Sequence, residues 1–141
     1  MRIFLPIALF AVTACDTVAD IETDDSFSAA PDIAGSYTVA ITGASGCTSN
    51  DAVDAFAGTL TVSGDADALS FAFENGESVP GSVDDSFFFE FGGTVGAGNL
   101  FADGAASESA ELWTLSGDFG LTLADDACEV VAEFTANEVA R

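Results

Sequence analysis

The sequence predicts an all-β domain of about eight short antiparallel strands in a meander, closed as a small barrel or folded as a β-sandwich. Three observations predict it. From Gly35 onward apolar and polar residues alternate with a period of two, the pattern of strands with one buried face. Gly, Asn and Asp clusters separate the alternating runs at intervals of roughly 8–12 residues. No stretch of this region sustains the apolar spacing of a helix.

The first strand runs from Gly35 to Thr42, with Tyr37, Val39 and Ile41 on one side. Residues 44–55 read as a loop, with room for one helical turn around Asp51 to Phe56. Phe56 to Ser63 supplies a second strand, facing with Leu60 and Val62. Leu69, Phe71 and Phe73 define a third, and Asn75-Gly76 ends it as a two-residue hairpin in which both central residues take positive φ. The returning strand, Glu77 to Val83, contains Pro80, which lacks a ladder donor and so predicts an edge or a bulge. Beyond Asp84-Asp85, Phe87, Phe89 and Phe91 share one face and Phe88 and Glu90 the other, leaving Phe88 on the polar side. Gly92, Gly93, Gly96 and Gly98 predict a flexible connection, Asn99 to Ala102 a short strand, and Asp103-Gly104 a turn. Trp113, Leu115, Phe119, Leu121 and Leu123 then keep one register, and a hairpin is expected at Ser116-Gly117-Asp118 because strands usually stop near 10 residues. Cys128, Val130, Ala132 and Phe134 point together in the last strand.

Ahead of the domain, an apolar run from Ile3 to Val12 follows Arg2. It is too short for a transmembrane helix, which needs about 20 apolar residues, and has the length of a signal-peptide core. Val12-Thr13-Ala14-Cys15 ends it and resembles the lipobox of bacterial lipoproteins. The resemblance implies cleavage after residue 14, a diacylglyceryl group on the Cys15 thiol and an acylated new amino terminus. Two or more chains hold a protein stably on a membrane. The division expected is a signal peptide at 1–14, a lipidated, acidic and disordered tether at 15–33, the β domain at 34–137 and a tail at 138–141. With Cys15 acylated and the chain exported, Cys47 and Cys128 are left to form a disulfide. One follows the first strand and the other begins the last, which are neighbours in an up-and-down barrel.

Charge narrows the partners. The 141 residues hold 24 acids, two cations and no histidine. Both cations are arginines, Arg2 and Arg141, and only Arg141 outlasts cleavage. Such a surface suits salty surroundings, where screening shortens the reach of its self-repulsion. Phosphate contacts need Lys or Arg, so nucleic acid is excluded as a partner. An anionic membrane would repel the domain, leaving the acyl chains as its membrane contact.

Catalysis fails on inventory. No histidine means no His-containing triad, and no lysine means no Schiff base or Ser–Lys dyad. Acids alone could serve a glycosidase, yet a pair of acids singles out nothing where acids are everywhere. No cofactor is expected. Calcium is the candidate metal, since it takes carboxylate and turn-carbonyl oxygens and Asp65, Asp67, Asp84, Asp85, Asp125 and Asp126 fall at predicted turns. Gly35-Ser36-Tyr37 resembles the Gly-x-Trp opening of lipocalins, with Tyr in place of Trp and only Arg141 to stand for the cation those proteins place near their last strand. That resemblance implies a carrier of a small hydrophobic ligand.

The expectation is therefore a non-enzymatic lipoprotein of a bacterial envelope, held by lipid at the outer membrane or cell surface, or facing the periplasm. It acts as an interaction or structural module for a protein or envelope partner, with the hydrophobic-ligand carrier as the alternative. A carrier needs an apolar cavity of about 300 Å³ or more, whereas a module needs a filled core and an exposed patch, with Phe88 a member.

Overall fold

The computed structural model describes residues 29–46, 51–124 and 128–140. Its strands are β1 (Gly35–Gly46), β2 (Gly58–Asp65), β3 (Ala68–Phe73), β4 (Ser78–Val83), β5 (Phe88–Val95), β6 (Gly98–Ser109), β7 (Leu112–Leu123) and β8 (Glu129–Ala140). They pair antiparallel in chain order, and β8 returns to β1, so the sheet is a closed barrel and not a sandwich. One helical turn, α1 (Asp51–Asp54), lies in the β1–β2 connection where it was expected.

Alternation decides what is inside. Tyr37, Val39, Leu60, Val62, Phe71 and Leu115 are among the fully or nearly fully buried residues, and their neighbours on each strand face out. Phenylalanine fills the centre. Phe71 stacks on Phe91 with ring centroids 4.3 Å apart, Phe91 meets Phe134 edge-on at 5.5 Å, and Phe134 stacks on Phe119 at 6.2 Å. Burial of each ring contributes about 1.5–3 kcal/mol, and each good ring pair about 0.5–1.5 kcal/mol more.

Both mouths are plugged by chain from outside the strands. Ile33, placed in the tether by the sequence reading, is fully buried just before β1, and its carbonyl accepts a 2.6 Å hydrogen bond from the Tyr37 hydroxyl. At the other end the β1–β2 connection inserts Val53 and Phe56, and Phe56 packs edge-on against Phe73 at 5.1 Å. Apolar side chains point in and hydroxyls and carboxylates point out, the reverse of a membrane-spanning barrel. No helix among the described residues is long and apolar enough to cross a bilayer.

Several local expectations are corrected. No hairpin forms at Ser116-Gly117-Asp118 and no turn at Asp103-Gly104, because β6 and β7 are each unbroken over 12 residues. Gly104 and Gly117 lie directly opposite one another. A Cβ on either would run into the facing carbonyl, of Ser116 or of Asp103, so these glycines let the two strands press together without breaking their ladder. The turn is at Ala110-Glu111, inside the Ser109–Leu112 pair, where both residues have positive φ. Such a turn ordinarily asks for Asn-Gly, so its sequence gives no signal.

The Asn75-Gly76 turn is longer than predicted. Phe73 N donates to the Glu77 carbonyl, and only Gly76 takes positive φ, so the loop has the three residues 74–76. The same geometry recurs at Asp85-Ser86-Phe87, where Phe87 occupies the left-handed position at φ 69° and leaves the interior register it was assigned. Gly92 and Gly93 belong to β5. Pro80 lies opposite Ser70 in a closed wall and not on an edge; β4 pairs with β5 only from Gly81 to Val83, so the missing donor falls beyond that ladder. The last strand continues to Ala140, past the boundary expected at 137. Glu138 is buried there and accepts a hydrogen bond from Trp113 N at 2.8 Å.

Candidate functional site

The outward faces of the two halves of the barrel differ in chemistry. On β1–β4 they carry Ser36, Thr38, Thr59, Thr61, Ser70 and Ser78 with small apolar residues between, and the one acid of these strands is Asp65 at the end of β2. On β5–β8 they carry carboxylates and exposed apolar side chains.

Register sets the carboxylates in a line. Glu90 of β5 lies opposite Asp103 of β6, Asp103 opposite Asp118 of β7, and Asp118 opposite Glu133 of β8. All four are exposed. Adjacent strands lie about 4.8 Å apart, so the row spans roughly 14 Å across four strands. Like charges directly opposite on one face are destabilising, so folding alone gives no reason for the row. Other acids are bound into the framework: Glu74 accepts from Thr59 N at 2.8 Å, Glu77 from Gly96 N at 2.6 Å, and Asp84 from Ser86 N and Phe88 N, each at 2.9 Å.

Two residues further along each strand, on the same outward face, a second row runs Gly92, Phe101, Gly120, Val131. Phe101 is 53% and Val131 46% exposed, and the glycine on each side of Phe101 leaves its ring standing free of the wall. On the opposite flank of the acids stands Phe88, 60% exposed, as its polar register predicted. Phe87 is 41% exposed beside it, with its ring against Trp113 at 5.8 Å.

Three open concavities follow these rows. One of about 480 Å³ lies over the glycine pair, with Phe88, Glu90, Asp103 and Asp118 around it. A second, about 350 Å³, lies between Glu90 and Phe101, and a third, about 410 Å³, among Phe101, Asp118, Val131 and Glu133. Together they form one shallow, acidic surface with apolar side chains at its margins. It can hold a surface-bound partner.

Of the acids expected from sequence, Asp84 lines the first concavity and Asp67 the second, while Asp65 and Asp85 lie outside all three. Asp65 and Asp67 flank the β2–β3 turn and Asp84 and Asp85 open the β4–β5 turn at the same end of the barrel, tied by a Val83 N to Ala66 O hydrogen bond of 2.8 Å. The Asp84 carboxylate is engaged in its own turn, and among the described residues no three acids or cysteines form a group able to hold a metal ion. Asp125 and Asp126 lie outside the described residues, as do Cys15 with its lipobox and Cys47. Cys128 stands half-buried just before β8. The acid row was missed because Asp103 and Asp118 were assigned to turns. Period-two counting carried through both would have set them outward, but alignment across strands needs the turn positions.

Comparison with protein-family models, with curated proteins and with solved structures finds no match.

Proposed function

We propose that this protein is a non-enzymatic interaction module, exported and anchored by lipid on Cys15, which meets its partner through the outer wall of β5–β8. One observation carries the reading: the barrel interior is filled by stacked rings and plugged at both mouths, while the open, part-apolar concavities are on the outside. That favours a module over a carrier, which needs its cavity within. The bacterial envelope is the setting, and the lipobox-like residues Val12 to Cys15 supply the support for it.

A photo-crosslinking residue at position 101 in the native envelope should form discrete adducts, and one at position 61 on the opposite wall should form none. Equal labelling at both would sink the assignment of the wall. For the anchor, Cys15→Ala should leave the exported chain soluble and unlabelled by a clickable fatty acid. Continued membrane attachment of that variant would remove the lipoprotein reading.

We also propose Cys47 as the partner of Cys128. Gly46 pairs with Val130 across the β1–β8 seam, so the residue before Cys47 lies opposite the chain just beyond Cys128. Closing a loop of about 80 residues is worth roughly 4–5 kcal/mol in the chain-entropy model. Cys47→Ser should therefore expose one titratable thiol at Cys128 and lower stability by several kcal/mol. If the Cys128 thiol stays blocked, the pairing is wrong.

A further inference from the structure

Resting on the module reading, we propose that the β5–β8 wall docks a basic polypeptide segment of a partner, extended, with Lys or Arg alternating with apolar residues. The cations would meet Glu90, Asp103, Asp118 and Glu133, and the apolar residues would meet Phe101 and Val131.

Charge selects the class of partner. The chain has 24 acids and two cations, and both cations, Arg2 and Arg141, lie outside the described residues. A second copy would bring the same sign to the row, and nucleic acid or an anionic lipid surface would do likewise. The outer faces of β1–β4, with Asp65 as their one acid, show that the acidity is not spread evenly over the strands, as a purely solubilising surface would have it.

Geometry selects the form. Acids and apolar residues lie in two parallel rows, two residues apart along each strand, or roughly 7 Å. An extended chain laid between the rows sends alternate side chains to opposite sides. Its same-side residues recur at about 6.6 Å, so three cations cover about 13 Å against the row's 14 Å or so. Lys and Arg stems absorb the remaining mismatch. A small polyamine could neutralise the row but would leave Phe101 and Val131 uncovered.

The test uses the full-length protein purified from membranes in neutral detergent, with fluorescence anisotropy at 0.15 M sodium chloride. The probes are the peptide Lys-Leu-Lys-Leu-Lys-Leu-Lys, a block peptide of the same composition, and spermine as competitor. The alternating peptide should bind at least tenfold more tightly than the block peptide and resist spermine at matched charge. D103N/D118N should weaken it at least tenfold and flatten its salt dependence. Phe101→Ser or Val131→Ser should weaken it severalfold with the salt dependence kept, each variant retaining the wild-type melting profile.

Equal binding of the block peptide, loss of the peptide to spermine, or indifference to both apolar substitutions would reduce the effect to bulk charge and overturn the proposal. So would an equal loss in D65N/D85N, which removes the same charge at the turns, outside all three concavities. A concentration-dependent dimer abolished by Phe101→Ser would overturn it in favour of self-association. If the peptide fails while position-101 crosslinks persist in the envelope, only the basic-segment proposal falls; if those crosslinks are absent too, the module reading falls with it.

Discussion

The wall built by β1–β4 and the wall built by β5–β8 enclose the same core and yet are written in different alphabets. The first is Ser, Thr and Ala outside, and where its chain turns or bulges with positive φ it uses glycine, at Gly43, Gly46, Gly58, Gly64 and Gly76. The second is acidic and part-apolar outside. Among the described residues, the three non-glycine residues with positive φ, Phe87, Ala110 and Glu111, lie at its margin, at the end of the barrel where β5 and β7 begin. Like-charge neighbours, exposed rings and left-handed non-glycine residues are each unfavourable for folding. They occur together on one side, which is where a surface kept for contact would place them.

The largest expected effect separates inside from outside. Phe91 touches Phe71, Phe73, Phe89 and Phe134, so Phe91→Ala should cost about 3–5 kcal/mol in urea unfolding. Phe101→Ala should cost no more than about 0.5 kcal/mol, as for an ordinary surface site. A large loss at Phe101 would mean that the ring belongs to the framework. Next come the glycines of the second wall. Gly117→Ala should cost about 1–3 kcal/mol or more, because its new Cβ meets backbone that cannot move aside. Gly120→Ala, whose nearest neighbour is at 3.6 Å, should be neutral or slightly stabilising. Equal behaviour of the two would break the account of why β6 and β7 run unbroken.

The turn follows in size. Ala110→Asn with Glu111→Gly installs the residues that left-handed backbone favours, and should raise stability by about 1–2 kcal/mol and the melting temperature by several degrees. No gain would mean that those residues do not hold positive φ in solution.

What could be read from the sequence divides along the same line. The antiparallel meander and the larger part of its core were legible, with a sandwich left open beside the barrel, because burial imposes a period of two and Leu60, Phe71, Leu115 and Phe134 obey it, whereas Ile33 and Val53 are buried from outside the strands. In the first half Gly and Asn mark the turns, and the expected strands fall within a few residues of those observed. In the second half the punctuation misleads. Gly104 and Gly117 read as turn residues but serve close strand packing, while Ala110-Glu111 turns with no turn residue at all. The candidate surface depended on that half. Phe88 could be set outward from its own strand alone, whereas aligning Glu90, Asp103, Asp118 and Glu133 requires three correct hairpins in succession.

The smallest effect tests the row itself. D103N/D118N removes the two central charges, and relief of opposed like charges should stabilise the barrel by about 0.2–1 kcal/mol at low ionic strength. In molar salt the Debye length falls to about 3 Å, shorter than the strand spacing of about 4.8 Å, so the gain should shrink toward zero. Net charge changes by two in any such pair, so the control is D65N/D85N, whose carboxylates stand at two different turns away from the concavities. Urea unfolding at low and molar sodium chloride should give the row variant the larger salt-dependent gain. Equal gains would mean that repulsion is spread over the whole acidic surface. A local excess at Asp103 and Asp118 would mean that the barrel keeps four aligned charges against its own stability, as a wall whose counter-charge comes from another molecule would.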